Sequence, residues 1–188
     1  MVDIEDLVRK LGDPDPKVRF KAVWVLWDAA FKGMDVTAAI PALAKALSDT
    51  ATDVQCYAAL ALGNAAFKEA DVTAAIPALA KALSDWHAGV REIAANALTN
   101  SIEKSTSVEA LERMETRLRE EHAIFRDKHH PRTKDELAGI GLAFSKLINE
   151  TAKRRDLLAT QRDIMLEGVP KAPKKGGVYQ EMRRVRNG

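Results

Sequence analysis

The histidines near the middle of the chain are the first side chains that could do chemistry. His129 and His130 follow His122 and Glu121 closely, and imidazole nitrogen is a common zinc ligand. Adjacent histidines point in different directions on a helix, however, and no cysteine or fixed carboxylate completes a ligand set. A histidine near a helix C-terminus also interacts favourably with the helix dipole. We therefore predict no metal site and no bound cofactor.

The other reactive residue types give no catalytic centre either. The single cysteine, Cys56, has no partner in the sequence, which favours a small packed side chain over a nucleophile. Gly139 and Gly141 have no strand before them and fall inside a helical pattern, so we expect close helix packing there and not phosphate binding. The sequence contains no hydrolase elbow, Walker loop or carboxylate pair of defined geometry. We predict that the protein is not an enzyme.

Four large aromatic residues form the most unusual pattern in the chain. Phe20, Trp24, Trp27 and Phe31 follow helical spacing, and this stripe is offset from an aliphatic stripe that suits a helical core. Large exposed aromatic patches usually mark binding. We predict a partner-binding site here, with the alternative that the C-terminal part of the chain folds back and covers the stripe. The predicted site also includes Leu60 and Phe67.

A basic tail offers a second contact. Residues 168–188 carry six basic groups and one acid, whereas residues 1–106 carry 11 basic and 14 acidic groups. The tail could neutralise phosphates, which gives a nucleic-acid- or ribosome-associated protein as an alternative function. Otherwise it is a solvated tail or one that docks on an acidic protein. The predicted tail contacts are Lys171, Lys174, Lys175, Tyr179, Arg183, Arg184 and Arg186.

The elements that position these residues are set by an internal repeat. Residues 35–49 recur letter for letter at 71–85, an offset of 36 residues, and a more divergent copy precedes them. The units span about 1–34, 35–70 and 71–106, and apolar spacing divides each into a first helix and a second helix, here called helix B. One such pair cannot bury its own apolar face, so neighbouring pairs must stack into a solenoid.

The turn before helix B carries a family resemblance. The segment Asp13-Pro14-Asp15-Pro16-Lys17-Val18-Arg19, followed by Ala22 and Leu26, resembles the HEAT-like repeat of phycobilin lyases. The resemblance covers residues 1–104 and implies polar contacts between units from turn aspartates and helix-B arginines. It also implies, as a further alternative, a bilin-lyase-like accessory protein. The residues that take the inter-repeat role by this resemblance are Asp13, Arg19, Asp49, Asp85 and Arg91, while Gln55 stands where an arginine is expected.

After Lys104 the 36-residue register is lost. Capping-box signatures near Thr106 and Thr133 begin two amphipathic helices, which predict an antiparallel hairpin over residues 107–167. The hairpin either caps the open end of the solenoid or projects as an arm. The predicted fold is therefore all-α: a short solenoid of three helical pairs, a long helical hairpin and an extended basic tail over 168–188.

The composition narrows the functional class. One cysteine excludes an internal disulfide, and neither a signal-like N-terminus nor a long apolar run is present, so we expect a cytoplasmic protein that does not enter a membrane. We predict a non-catalytic adaptor or accessory subunit of a larger complex. Its partner is another protein or a multi-subunit complex, with nucleic acid as a possible ligand of the tail.

Overall fold

Helices account for every regular element of the described chain. The computed structural model describes residues 2–127 and 132–167. The predicted all-α solenoid fold is confirmed, with two 3₁₀ turns, Thr37–Ala39 and Thr73–Ala75, before the first helices of units two and three. The α-helices are α1 (Ile4–Lys10), α2 (Pro16–Phe31), α3 (Ile40–Ala46), α4 (Thr52–Phe67), α5 (Ile76–Ala82), α6 (Ala88–Lys104), α7 (Val108–Asp127) and α8 (Lys134–Glu167).

Local sequence explains where the repeated helices begin. Pro41 and its counterpart in α5 occupy the first turn, where a proline lacks no hydrogen bond that the helix needs. An aspartate side chain holds the chain just before each 3₁₀ turn: Asp35 accepts from the Thr37 N–H at 2.9 Å, and Asp71 does the same one unit later. Identical sequence therefore gives identical local structure in both copies.

The interior of the repeats is aliphatic and tightly packed. Leu26, Leu62 and Leu98 lie 36 residues apart in α2, α4 and α6, and all three are fully buried. Alanine fills much of the remaining space, so the helix-B elements α2, α4 and α6 lie directly beside one another. The helices α4 and α6 approach closely at Gly63, where an added Cβ would lie 3.3 Å from the Cα of Ala97.

The helical hairpin packs on the third unit. α7 lies against α5, and Arg132, just before α8, donates to the carbonyl oxygens of Ser84 and Asp85 at 2.9 and 2.7 Å. The two hairpin helices run antiparallel: Glu115 in the first half of α7 accepts from Arg155 in the second half of α8 at 2.5 Å, and Phe125 near the end of α7 stacks on Phe144 in the first half of α8. Residues up to Leu158 belong to one compact unit with the repeats, and residues 159–167 continue α8 in a separate unit. Over residues 108–127 and 132–158 the hairpin thus caps the solenoid.

The length and hydropathy of a helix determine whether it could span a membrane. No helix within residues 2–127 and 132–167 combines the length and the apolar character that crossing a bilayer requires.

The prediction of close helix packing at Gly139 is wrong. The glycine at a close contact between two helices is Gly63. A Cβ at Gly139 would meet no atom within 4 Å.

We expect Gly63→Val to lower the free energy of unfolding by about 1 to 3 kcal/mol, because the added methyls overpack the contact with α6. The matched control Gly139→Ala should raise it by up to about 1 kcal/mol through helix propensity. Urea unfolding followed by circular dichroism measures both. Equal effects of the two substitutions would contradict the packing described for α4 and α6.

His122 makes the stability of the hairpin depend on pH. Its ring stacks on that of Phe144, with centroids 5.1 Å apart and planes inclined by 4°. Burial lowers the pKa of His122 below its usual range, and the charge of Arg126 lowers it further. The unfolded chain therefore takes up this proton at a higher pH than the folded one, so the stabilisation is present above the ordinary histidine pKa of about 6.5 and is lost as pH falls through the folded value. We expect the wild type to be less stable at about pH 5.5 than at about pH 7.5, and His122→Leu to reduce that difference in urea titrations. An unchanged difference would contradict this role.

Candidate partner-binding surface

One side of each helix B points away from the aliphatic interior. We call this the helix-B surface. It follows helical spacing along α2 and α4, so that equivalent positions of neighbouring units lie side by side. Its members are Lys17, Lys21, Trp24, Asp28 and Phe31 in α2, and Asp53, Tyr57, Leu60, Asn64 and Phe67 in α4.

Three of the predicted aromatic and apolar residues lie exposed on this surface. Trp24 has 45% of its area exposed, Phe31 63% and Phe67 53%. Leu60, the counterpart of Trp24 one unit later, is half-buried. The helix-B surface therefore presents large apolar side chains to solvent, whereas the core is filled by smaller aliphatic side chains.

Phe20 and Trp27 are placed differently from Trp24 and Phe31. Both are half-buried and meet the Tyr57 ring edge to face, with centroid distances of 5.5 and 5.4 Å. Trp27 also stacks on Phe31 at 6.0 Å. The structure thus divides the predicted stripe into an exposed row and a row that joins α2 to α4.

Sequence reasoning missed Tyr57, which carries this junction. In the 36-residue register its counterparts are Lys21 and Ile93, so it stands outside the predicted aromatic stripe. The feature of the sequence that could have identified Tyr57 is a large aromatic residue at a helix-B position where the other two units carry no ring. Edge-to-face contacts of this kind stabilise beyond the area they bury.

Two lysines lie beside the exposed Phe67 ring. The Nζ of Lys104 lies 4.9 Å from the centroid of the Phe67 ring, and that of Lys68 lies 5.8 Å from it. A lysine recurs every 36 residues at or just beyond the C-terminal end of helix B, at Lys32, Lys68 and Lys104. A positive charge there interacts favourably with the helix dipole. Lys32 also pairs with Asp28 at 2.6 Å.

Arg19 makes a two-point ion pair between units one and two. It donates through Nε and Nη2 to the two carboxylate oxygens of Asp49 in the next unit, at 2.7 and 2.9 Å, and through Nη1 to the carbonyl oxygens of Asp13 and Pro14. Burial alone would raise the pKa of Asp49, but the hydrogen bonds from Arg19 and the Ala51 N–H hold it below its usual range. The Asp13 carboxylate stays in its own turn, where it accepts from the Asp15 N–H.

The later units replace this ion pair with weaker or different contacts. Gln55 donates to the Asp85 carboxylate at 3.5 Å, at the limit of a hydrogen bond. Arg91 turns to the carbonyl oxygens of Asp85 and Trp86, both at 3.0 Å. Arg132 reaches the same turn from the hairpin and stacks over the Trp86 ring at 4.6 Å.

The described residues that were candidates for catalysis or metal binding do not lie together. Burial raises the pKa of the Cys56 thiol, and the charges of Asp53 and Asp85 raise it further, which lowers its thiolate fraction. His122 lies in the hairpin, while His129 and His130 fall outside the described residues. Over the described parts of the chain, no three histidine, cysteine or acidic side chains are gathered as a metal site would need.

The predicted tail contacts also lie outside the described residues. Their assignment rests on sequence alone. They are Lys171, Lys174, Lys175, Tyr179, Arg183, Arg184 and Arg186.

Comparison with known proteins supports the repeat architecture. A family model described as HEAT repeats matches residues 4–99 and again 40–128, which confirms the resemblance to HEAT-like repeats. The phycobilin-lyase subtype has no support from this match. No curated protein matches the chain.

Solved structures share the fold at low sequence identity. An engineered protein aligns with a TM-score of 0.58 at 23% identity, over 85% of this chain and 69% of its own. A designed armadillo repeat protein, crystallised in complex with the peptide (KR)4, aligns with a TM-score of 0.56 at 21% identity, over 77% of this chain and 64% of its own. This chain therefore spans less than two thirds of the designed armadillo protein. At these identities the similarity shows the fold alone.

The two tryptophans of α2 should differ in their contribution to stability. We expect Trp27→Ala to lower the free energy of unfolding by about 1 to 3 kcal/mol, because it removes ring contacts to Tyr57 and Phe31. Trp24→Ala should lower it by less, by at most about 1 kcal/mol, because 45% of Trp24 is exposed. Chemical unfolding of both variants measures the difference. A loss at Trp24 as large as that at Trp27 would mean that Trp24 is part of the core.

Proposed function

Because the chain belongs to the HEAT-repeat family, we propose that it is a protein-binding scaffold whose helix-B surface on units one and two holds another protein. Repeat solenoids of this kind typically serve as interaction scaffolds, and their stacked helices give an extended surface. We assign it no reaction of its own. The finer role proposed is that of an adaptor or accessory subunit of a larger complex in the cytoplasm.

The exposure of Trp24, Phe31 and Phe67 is the observation that carries this proposal. Solvent contact of three large rings on one surface is unfavourable by the hydrophobic effect, and burial against a partner would remove that cost. Tryptophan in particular tends to anchor interfaces. The aliphatic core is complete without these rings, so they are available for a partner.

Packing of the hairpin supports an external partner. The described hairpin residues up to Leu158 contact the third unit, at α5 and at the Ser84-Asp85 turn, and so leave the aromatic end of α2 uncovered. A second contact through the hairpin or the basic tail would raise affinity through effective concentration, if both were held by one partner.

The designed armadillo protein supports a binding role for the helix-B surface in general terms only. Its fold holds a peptide, which agrees with a peptide-binding role for stacked helical units. Its basic ligand does not carry over, because at 21% identity the similarity shows the fold alone. The nucleic-acid and bilin-lyase alternatives stay predictions from the tail sequence and the family resemblance.

Affinity capture with matched variants tests the proposal. The tagged full chain, the Trp24→Ala/Phe31→Ala variant and a Trp86→Ala control are expressed in the native host, and captured proteins are identified by mass spectrometry. Trp86 is 67% exposed but lies on the turn before α6, away from the helix-B surface. We expect the double variant to lose a partner that the control retains. An anchor side chain typically contributes at least about 2 kcal/mol, so the affinity should fall more than about tenfold.

The controls make the result specific. Melting curves should show that all three proteins remain folded at the capture temperature, although the double variant loses the Trp27–Phe31 ring contact and the control loses the Arg132–Trp86 contact. If the double variant captured every partner as well as the wild type, the helix-B surface would not be the binding site.

A further inference from the structure

The helical hairpin packs on unit three but is joined to it less closely than the repeats are joined to one another. From this we propose that the hairpin is a detachable end cap, which opens from unit three as one body while the three repeats stay folded. The hairpin here means α7 together with residues 132–158. This inference does not depend on the proposed protein-binding function, because it concerns the other end of the array.

Close contact joins the repeats, whereas open clefts lie between the hairpin and unit three. The helices α4 and α6 approach until a Cβ on Gly63 would lie 3.3 Å from Ala97. Between α6 and α8, by contrast, one cleft of about 270 Å³ includes Gly139, where an added Cβ would meet no atom within 4 Å. Another cleft, of about 410 Å³, lies between Ile102 and Leu157. Side chains along such clefts lack part of their attractive contacts, which weakens the docking of α8.

The ion pair that joins units one and two has no counterpart at the hairpin. Arg19 donates to both carboxylate oxygens of Asp49 in the next unit. Arg91, its equivalent in unit three, donates to carbonyl oxygens of its own turn but forms no ion pair within the described residues. Arg132 of the hairpin reaches the same turn, and both arginines donate to the Asp85 carbonyl oxygen, at 3.0 and 2.7 Å. Two positive charges therefore meet there, and they repel each other.

Two buried guanidinium nitrogens of the hairpin lack hydrogen-bond partners. Within the described residues these are Nη1 of Arg132 and Nε of Arg154, whose Nη2 reaches the Ser105 carbonyl oxygen at 3.3 Å. Burial lowers the pKa of Arg132 below its usual range, and the charge of Arg91 lowers it further, while nearby carboxylates act in the opposite direction. A buried donor without an acceptor disfavours the docked state, because water satisfies that donor when the hairpin opens.

Within the hairpin, the two helices are joined to each other by polar and aromatic contacts. Glu115 of α7 accepts from Arg155 of α8 at 2.5 Å. The Phe144 ring of α8 stacks on the rings of His122 and Phe125 of α7, with centroid distances of 5.1 and 6.1 Å. These contacts are retained if both helices leave unit three together. Opening as one body therefore breaks fewer contacts than the separation of α8 alone.

Apolar burial keeps the cap closed in most molecules. Leu111 and Leu118 of α7 are fully buried, and α7 packs on α5. Opening is therefore a rare excursion of the folded protein, of the kind that amide hydrogen exchange detects. The link between α6 and α7 is short, since Ser105 follows α6 with an extended backbone and α7 begins at Val108. Changes of backbone angles over residues 105–107 can swing both helices, as in other hinges.

Amide hydrogen exchange of the full-length chain, measured residue by residue by NMR, tests the cap. We expect the most protected amides of α7 and of residues 134–158 to share one protection factor. That value should lie at least about tenfold below the protection of α4, because the hairpin opens more often than the repeats unfold.

Two matched pairs of variants test why the cap opens. Gly139→Leu places a side chain in the cleft beside α6, whereas Gly139→Ala makes nearly the same gain in helix propensity without filling it. We expect Gly139→Leu to raise the protection of the hairpin at least about threefold above Gly139→Ala. Arg154→Met removes a buried donor that lacks a partner, and should also raise this protection at least about threefold. The control Arg117→Met changes an exposed arginine of α7 and should stay within about twofold of wild type.

Three results would overturn the proposal. Equal protection of α4 and the hairpin would mean that the chain opens only by global unfolding. Different protection of α7 and α8 would mean that they do not leave unit three together. Equal protection in Gly139→Leu and Gly139→Ala, or in Arg154→Met and Arg117→Met, would mean that the clefts or the buried donors do not weaken the docking.

Discussion

Close packing of small and aliphatic side chains between α2, α4 and α6 is the constraint on which the rest of the structure depends. Leu26, Leu62 and Leu98 are fully buried in equivalent places, and Gly63 brings α4 close to α6. At the Gly63–Ala97 contact this spacing leaves no room for a large ring. The aromatic side chains of α2 lie at the edge of the aliphatic interior, either against Tyr57 or in solvent, and the candidate binding surface depends on how the repeats stack.

The binding surface changes character along the array because only the core positions are held constant. Where α2 carries Trp24 and Phe31, α6 carries Asn96 and Glu103 at equivalent positions. The hairpin closes the polar end, with Arg132 bonded to the turn of the third unit. The aromatic end is therefore the part of the helix-B surface that we propose for a partner.

Much of the fold could be predicted because a 36-residue identity and helical apolar spacing are direct signals of stacked helical pairs. The same spacing identified Trp24 and Phe31, which are exposed. It could not identify Tyr57, because contacts between neighbouring helices depend on their relative rotation, which the period of one helix does not contain. The packing glycine was misassigned to Gly139 for the same reason: a glycine inside a helix does not reveal which neighbour approaches it.

The central claim is that stacking of the repeats leaves the Trp24 side of α2 open while it fills the interior with aliphatic residues. Hydroxyl-radical footprinting of the free, full-length protein measures this most directly, since the rate of side-chain oxidation follows solvent exposure. We expect fast oxidation at Trp24 and Phe31, slower oxidation at Trp27 and protection at Leu26. Protection of Trp24 as strong as that of Leu26 would contradict the account.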